Sequence, residues 1–165
     1  MPAFPMQDWF TNTKTLWTMF WLTLGLTVGF AVVMQVWQFE LIDEMSDPEQ
    51  IRAHVAMFSE TQKTAHIWMT ATVDVAYPFA YGSLFMGMAL RFFGRVGFWL
   101  ALPSLIVIPV DLAEGYVQVM FLSGDDNLLY LKSFLTPLKL VLFMPGLLIA
   151  LVGAGIAIKE RRSQQ

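Results

Sequence analysis

Two carboxylates lie three residues apart in a stretch that is otherwise almost wholly apolar. Asp111 and Glu114 stand between Pro109 and Gln118, in a run from Val96 to Leu122 that contains no other charged residue. About 20 apolar residues suffice to cross a bilayer as a helix, so this run predicts a membrane span. A carboxylate inside a membrane costs at least about 2.5 kcal/mol, and such residues usually face a bundle interior and serve a function. The pair is therefore a candidate for moving a proton or binding a positive charge.

A second apolar run carries polar residues at helical spacing. They follow one another at intervals of four, four, three and four: His66, Thr70, Asp74, Tyr77 and Tyr81. These intervals place the five side chains on a single helical face. This face adds a third intramembrane carboxylate, a histidine that could supply a proton or line an access route, and two tyrosines that could line a cavity.

The remaining members of the candidate site come from neighbouring predicted helices. Gln118 continues the stripe of Asp111 and Glu114 by one turn, while Thr136 and Lys139 lie in the first half of the last apolar run. At about 1.5 Å per helical residue, four charged side chains lie roughly 13 to 18 Å below one membrane surface: Asp74, Asp111, Glu114 and Lys139. The hydrocarbon core is about 30 Å thick, so these charges are expected to meet in its central layer.

The charges in this layer do not balance. Asp74, Asp111 and Glu114 oppose Lys139 alone, so at least one carboxyl should hold a proton, or a cation should bind. The alternative is that Lys139 pairs with one carboxylate and the other polar groups only hold the helices together by hydrogen bonds. The sequence leaves both interpretations open.

The composition agrees with a membrane protein and excludes several kinds of chemistry. The chain is 56% hydrophobic and 14% charged, with a net charge of −3 and a mean hydropathy of +0.57, whereas soluble domains carry about 25% charged residues. It has no cysteine, and no metal-ligand spacing joins His54 to His66. We find no phosphate-binding loop and no nucleic-acid motif. No metal, cofactor or nucleic-acid partner is therefore expected.

The elements that must position these residues are all helices. Asp47 followed by Pro48 is typical of a helix start. Gly25 and Gly29 have the small-xxx-small spacing that favours close packing against a neighbouring helix. The first apolar run lacks a cleavage site and is read as a retained span. We predict one all-α domain, a four-helix membrane bundle with a short amphipathic helix in its first loop: spans at about 14–38, 64–91, 96–122 and 128–158, and an interfacial helix at about 48–60.

The distribution of basic residues predicts the orientation. Six lie at the two termini and in the second loop: Lys14, Arg91, Arg95, Lys159, Arg161 and Arg162. Three lie in or beside the other two loops: Arg52, Lys63 and Lys132. The positive-inside rule then places both termini in the cytoplasm.

Three short motifs carry a resemblance that spans Thr64 to Leu148. The chain resembles an uncharacterised family of small four-helix bacterial inner-membrane proteins in Asp74-x-x-x-Pro78-x-x-Tyr81, Asp111-x-x-Glu114 and Thr136-x-x-Lys139. The resemblance implies a bacterial inner membrane and supports these site residues, but it implies no reaction. A looser similarity, in topology and buried carboxylates only, links the chain to sterol-isomerase-like membrane proteins.

Three functions fit these features. The first is a pocket for a small apolar or cationic ligand, a lipid or a proton, with or without catalysis. The second is an accessory or scaffold subunit of a larger membrane complex, and the third is proton or cation transport by an oligomer. The predicted ligand- or proton-binding residues are Asp74, Asp111, Glu114, Lys139, Tyr77, Tyr81, His66, Thr70, Gln118 and Thr136.

Overall fold

The computed structural model describes residues 5–163, and within that range the chain is 86% helix with no strand. This confirms the predicted all-α class. The α-helices are α1 Pro5–Thr11, α2 Thr13–Trp37, α3 Pro48–Val55, α4 Glu60–Phe92, α5 Gly97–Leu122 and α6 Lys132–Ser163. Two 3₁₀ turns, Gly94–Val96 and Leu129–Leu131, precede α5 and α6.

Helix α4 begins four residues before the predicted start of the second span. Ser59 caps it: the Ser59 side chain accepts from the Gln62 backbone N–H, and the Gln62 side chain accepts from the Ser59 backbone N–H. This reciprocal capping box satisfies donors that the first helical turn leaves free. The added turn extends the face that carries His66, Thr70 and Asp74.

Three stretches of the described chain are long and apolar enough to cross a membrane: Thr13–Trp37, Gly94–Leu122 and Leu129–Ser163. They indicate a membrane protein. Helix α4 has 33 residues, which corresponds to about 50 Å, but its polar face makes it less apolar than the other three.

Helix α4 lies at the centre of the helix bundle and packs against α2, α5 and α6. Helix α2 packs mainly against α4, and Leu16 is its one buried residue among those described. A Cβ atom added to Gly25 or Gly29 would meet nothing within 4 Å. The predicted close packing at these glycines is therefore wrong within the described chain, because α2 turns this part of its surface away from the other helices.

Two glycines let three helices approach closely at the level of Ser104. A Cβ on Gly82 of α4 would lie 2.8 Å from Ile108 Cγ1, and one on Gly146 of α6 would lie 2.7 Å from Ser104 Oγ. Neither position has room for a larger residue without movement of α5. This contact holds α4, α5 and α6 together on one side of the buried charges.

The first loop closes the other end of the bundle. Ile42 of the loop and Ile51 of α3 are fully buried against Leu122 and Leu129. The backbone oxygen of Ser46 accepts a hydrogen bond of 2.9 Å from the Ser133 hydroxyl. We call this end of the bundle, with the loop 38–47 and α3, the first-loop end.

Candidate functional site

Glu114 of α5 is fully buried and is held by three side chains of α6. Lys132 Nζ donates to Glu114 Oε1 at 2.8 Å, and the Thr136 hydroxyl donates to the same oxygen. Lys139 forms an ion pair with Glu114 Oε2. Because Lys132, Thr136 and Lys139 are spaced by four and three residues, α6 presents all three on one face. The Glu114 carboxylate is thus fully partnered by the protein.

Lys139 joins Glu114 to a second buried carboxylate. Its Nζ lies 3.2 Å from Asp111 Oδ1, and the Tyr81 hydroxyl donates to Asp111 Oδ2 at 2.7 Å. A continuous chain of polar contacts therefore runs from α4 through α5 to α6. The predicted buried cluster of Asp, Glu and Lys is present, and Lys139 pairs with two carboxylates rather than one.

Lys132 is a member of this cluster that sequence reasoning missed. It was counted among basic residues beside a loop, yet its side chain has no exposed surface. Its position four residues before Thr136 and seven before Lys139 is the sequence signal that could have identified it. With Lys132 included, the cluster holds three carboxylates against two lysines, so the predicted excess of two negative charges falls to one.

Asp43 adds a further carboxylate at the first-loop end. It is half-buried and accepts a hydrogen bond from the Gln118 side-chain amide. Gln118 therefore binds the loop rather than Asp111 or Glu114, whose stripe it shares. If Asp43 is counted with the cluster, the excess of negative charge is again two.

Asp74 is the carboxylate that the protein does not compensate. No residue between 5 and 163 places a hydrogen-bonding or ion-pairing atom within reach of its oxygens. The charged groups in electrostatic range include three carboxylates and a single lysine: Asp43, Asp111, Glu114 and Lys139. Lys132 pairs with Glu114, and Lys139 pairs with Glu114 and Asp111, so neither lysine forms an ion pair with Asp74.

Asp74 lines a groove of about 270 Å³ between α4 and α5. Thr70 lies one turn away on the same wall, and Asp111 lies on the opposite wall. A Cβ on Gly115 would lie 3.4 Å from both Asp74 Oδ2 and Thr70 Cγ2, so the glycine leaves space beside the carboxylate. Tyr116 at the rim is 58% exposed, which shows that the groove opens sideways to the outer surface of the bundle.

The two tyrosines predicted to line a cavity are instead packed between helices. Tyr81 is almost fully buried, with its ring 5.0 Å from that of Phe143 and its hydroxyl bound to Asp111. The Tyr77 hydroxyl lies 3.2 Å from Thr27 Oγ1 of α2. The aromatic residue in the groove wall is Tyr116, which the sequence analysis did not select.

His66 is fully buried beside the first-loop end. Its ring stacks on Phe39 at 4.9 Å, and neither ring nitrogen has a hydrogen-bond partner in the described chain. It makes no direct contact with the carboxylates of the cluster. His54 of α3 is 17% exposed, and its ring packs edge-on against that of Phe58 at a centroid distance of 5.1 Å.

A second cavity of about 570 Å³ lies between α2 and α4. Its walls are mainly apolar, with Trp37 and Trp68 among them. Its one carboxylate, Glu60, is paired with Lys63 at 2.9 Å. The groove at Asp74 is therefore the better equipped of the two cavities for recognising a charge.

The described residues contain no group of three or more histidine, aspartate or glutamate side chains arranged to hold a metal ion. Comparison with protein-family models, with curated proteins and with solved structures finds no match for this chain.

Proposed function

We propose that the chain is a four-span protein of the bacterial inner membrane with both termini in the cytoplasm. Helices α2, α4, α5 and α6 are the four spans, and α3 lies at the far membrane surface. The length of α4 and its central position support its inclusion, because its polar residues can avoid lipid only by facing the other helices. The excess of basic residues at the termini and in the second loop supports the orientation.

We propose that the protein binds the ammonium group of an amphiphilic amine in the groove between α4 and α5. The observation that carries this proposal is the Asp74 carboxylate, which lines the groove and has no partner in the described chain. A cation bound there would supply the positive charge that the buried cluster lacks. Charge-assisted hydrogen bonds between an ammonium and a carboxylate are about twice as strong as neutral ones.

The groove offers a second acceptor for a primary amine. Thr70 lies one turn from Asp74 on the same wall and presents Cγ2 toward Gly115; rotation of its side chain would turn Oγ1, which is buried without a hydrogen-bond partner in residues 5–163, into the groove. An ammonium group has three donors and no acceptor, so it can bind a carboxylate and a hydroxyl together. A quaternary ammonium has no N–H donor and could bind only through its charge.

The size and openness of the groove support an amphiphile rather than a compact molecule. Pockets for whole small molecules measure about 300 to 1,000 Å³, and this groove holds about 270 Å³. It can take the headgroup and the first few carbon atoms. The remaining alkyl chain would pass the exposed rim residues Val75 and Tyr116 into the bilayer.

Native mass spectrometry of the protein released from lipid nanodiscs tests this proposal. Dodecylamine is the probe, and 1-dodecanol is the neutral molecule of equal chain length. We expect one dodecylamine per chain and an affinity about 10- to 100-fold lower in Asp74→Asn, since a hydrogen bond to a charged group contributes about 1.5–3 kcal/mol.

Glu44→Gln is the matched control, because Glu44 is an exposed carboxylate of the first loop and its loss changes the net charge equally. It should bind dodecylamine as the wild type does. Equal dodecylamine affinity in wild type and Asp74→Asn would contradict the proposal. So would dodecanol binding as tight as amine binding, because the groove would then recognise only the alkyl chain.

A further inference from the structure

Three fully buried side chains between the groove and the first-loop end carry polar atoms with no partner among the described residues. These atoms are both ring nitrogens of His66, Oγ1 of Thr70 and Oε1 of Gln118. The exposed fractions of the three residues are 0%, 1% and 0%. Of these atoms, the proposed amine site would bind only the Thr70 hydroxyl. The ring nitrogens of His66 and Oε1 of Gln118 would still lack a hydrogen-bond partner in the described chain.

These atoms lie along one line through the bundle. His66, Thr70 and Asp74 are spaced by four residues on α4, which places each about 6 Å from the next along the helix axis. Gly115 of α5 faces both Thr70 and Asp74. Helix α5 runs antiparallel to α4. Gln118, three residues after Gly115, is therefore displaced from Gly115 toward His66. The unpartnered atoms therefore lead from the groove toward the first-loop end.

The line continues from His66 toward the surface. His54 Nε2 is buried without a hydrogen bond in the described chain and lies 3.9 Å from Glu40 Oε2, whose side chain is 85% exposed. The ring centroid of Phe58 lies 5.1 Å from that of His54 and 6.2 Å from that of His66. The titratable and charged groups that face His66 come from the loop, from α6 and from α3: Asp43, Lys132 and His54.

Buried polar atoms in proteins almost always have a hydrogen-bond partner, and where the protein supplies none, an ordered water does so. A buried water typically makes about three hydrogen bonds and needs polar walls of this kind. We propose that bound waters join His66, Thr70 and Gln118 into a proton path that connects the first-loop surface with Asp74.

The transfer needs no reactant beyond water. A proton from bulk water reaches one ring nitrogen of His66 through the water beside His54. The proton on the other ring nitrogen passes through the water at Thr70 to an oxygen of the Asp74 carboxylate. When Asp74 gives up its proton, the reverse transfer restores the original histidine tautomer. The path does not require an amine in the groove.

The chain has only two histidines, which allows a direct test of hydration. In a uniformly ¹³C,¹⁵N-labelled His54→Gln variant, His66 gives the one histidine signal in solid-state NMR spectra of the protein in lipid. We expect magnetisation to pass from water to the His66 ring as fast as to exposed side chains. Ile51, equally buried but apolar, is the internal control and should receive it slowly. A His66 ring as slow as Ile51 would overturn the proposal.

Proton access is tested by infrared spectroscopy after a pH jump on the first-loop side of proteoliposomes. The carboxylic C=O band that is lost in Asp74→Asn reports protonation of Asp74. We expect this band to form at least tenfold more slowly in His66→Phe and Thr70→Val than in the wild type. Ser104→Ala is the matched control, because Ser104 Oγ is also buried without a partner in the described chain but lies beside Gly146, away from the path.

Wild-type rates in both His66→Phe and Thr70→Val would overturn the path. An Asp74 band that does not respond to pH on the first-loop side would do the same. Thr70→Val keeps the test decisive if His66→Phe fails to fold, because threonine and valine have nearly the same shape. A failure of dodecylamine to bind would remove the amine proposal but would leave these two measurements and their meaning unchanged.

Discussion

Glu114 and Asp74 are carboxylates at a similar depth on neighbouring helices, yet the protein treats them in opposite ways. Glu114 receives Lys132, Thr136 and Lys139, all from α6. Asp74 receives no partner from residues 5–163 and lines a groove that opens to the outside of the bundle. Carboxylates on neighbouring helices of one bundle can therefore serve as a structural clamp or as an available binding group, depending on which helix each one faces.

The difference arises from the arrangement of α6 and α5. Helix α6 packs its polar face against Glu114, where each oxygen of the carboxylate forms an ion pair with a lysine. Asp74 instead points toward Gly115, where α5 offers no side chain at all. Removing a partner of Glu114 should therefore lower the unfolding free energy. Filling the space beside Asp74 should instead lower the affinity for an amine.

The largest effect is expected from Lys132→Met. It leaves the two buried carboxylates Asp111 and Glu114 with Lys139 alone, and removing one partner of a buried ion pair typically costs about 3–5 kcal/mol of unfolding free energy. Unfolding measured by steric trapping in bicelles checks this value. Lys63→Met is the matched control, because its pair with Glu60 is at the surface and should contribute less than about 1 kcal/mol.

A second variant shows whether the loss comes from charge. Lys132→Met combined with Glu114→Gln removes both members of the pair and should recover more than half of the lost stability, since no uncompensated carboxylate then faces α6. If Lys132→Met proves as mild as Lys63→Met, Glu114 is not clamped as described, and the contrast with Asp74 disappears.

A smaller effect is expected from Gly115→Ala on the Asp74 side. The added Cβ would lie 3.4 Å from Asp74 Oδ2, an ordinary contact, so the protein should fold with unchanged or slightly higher stability. The methyl group would occupy the groove and lower dodecylamine affinity about five- to tenfold, or about 1 kcal/mol. Calorimetric titration in nanodiscs measures this affinity.

Gly155→Ala gives the matched control, because it makes the same change in α6 where a Cβ meets nothing within 4 Å. It should leave amine binding unchanged. An unchanged affinity in Gly115→Ala would show that the ammonium group does not lie beside Asp74.

Much of the cluster followed from helical periodicity. Intervals of three and four residues placed Asp111 beside Glu114, and depth counting brought Lys139 from a different helix to the same layer. Periodicity and depth counting bring these residues together because a long α-helix is a regular element whose rise per residue is known. The contacts of Lys139 with Asp111 and Glu114 are the result.

The remaining features depend on contacts between segments that are distant in sequence. Lys132 lies at the start of α6 and looks like a lysine at the membrane surface; it is buried because the first loop packs over it. Gln118 leaves its own stripe to bind Asp43 of the same loop. Periodicity also could not show that Asp74 faces a gap, because that depends on α5 presenting a glycine there.

The central claim is most directly tested by the unfolding free energies of Asp74→Asn and Glu114→Gln, measured side by side by steric trapping in bicelles. We predict that Asp74→Asn unfolds with unchanged or higher free energy, because it removes a half-buried carboxyl that has no partner in the described chain. We predict that Glu114→Gln loses about 3 kcal/mol, because Lys132 then lacks its buried counter-charge. Similar losses in the two variants would contradict the account, since Asp74 would then be as firmly paired as Glu114.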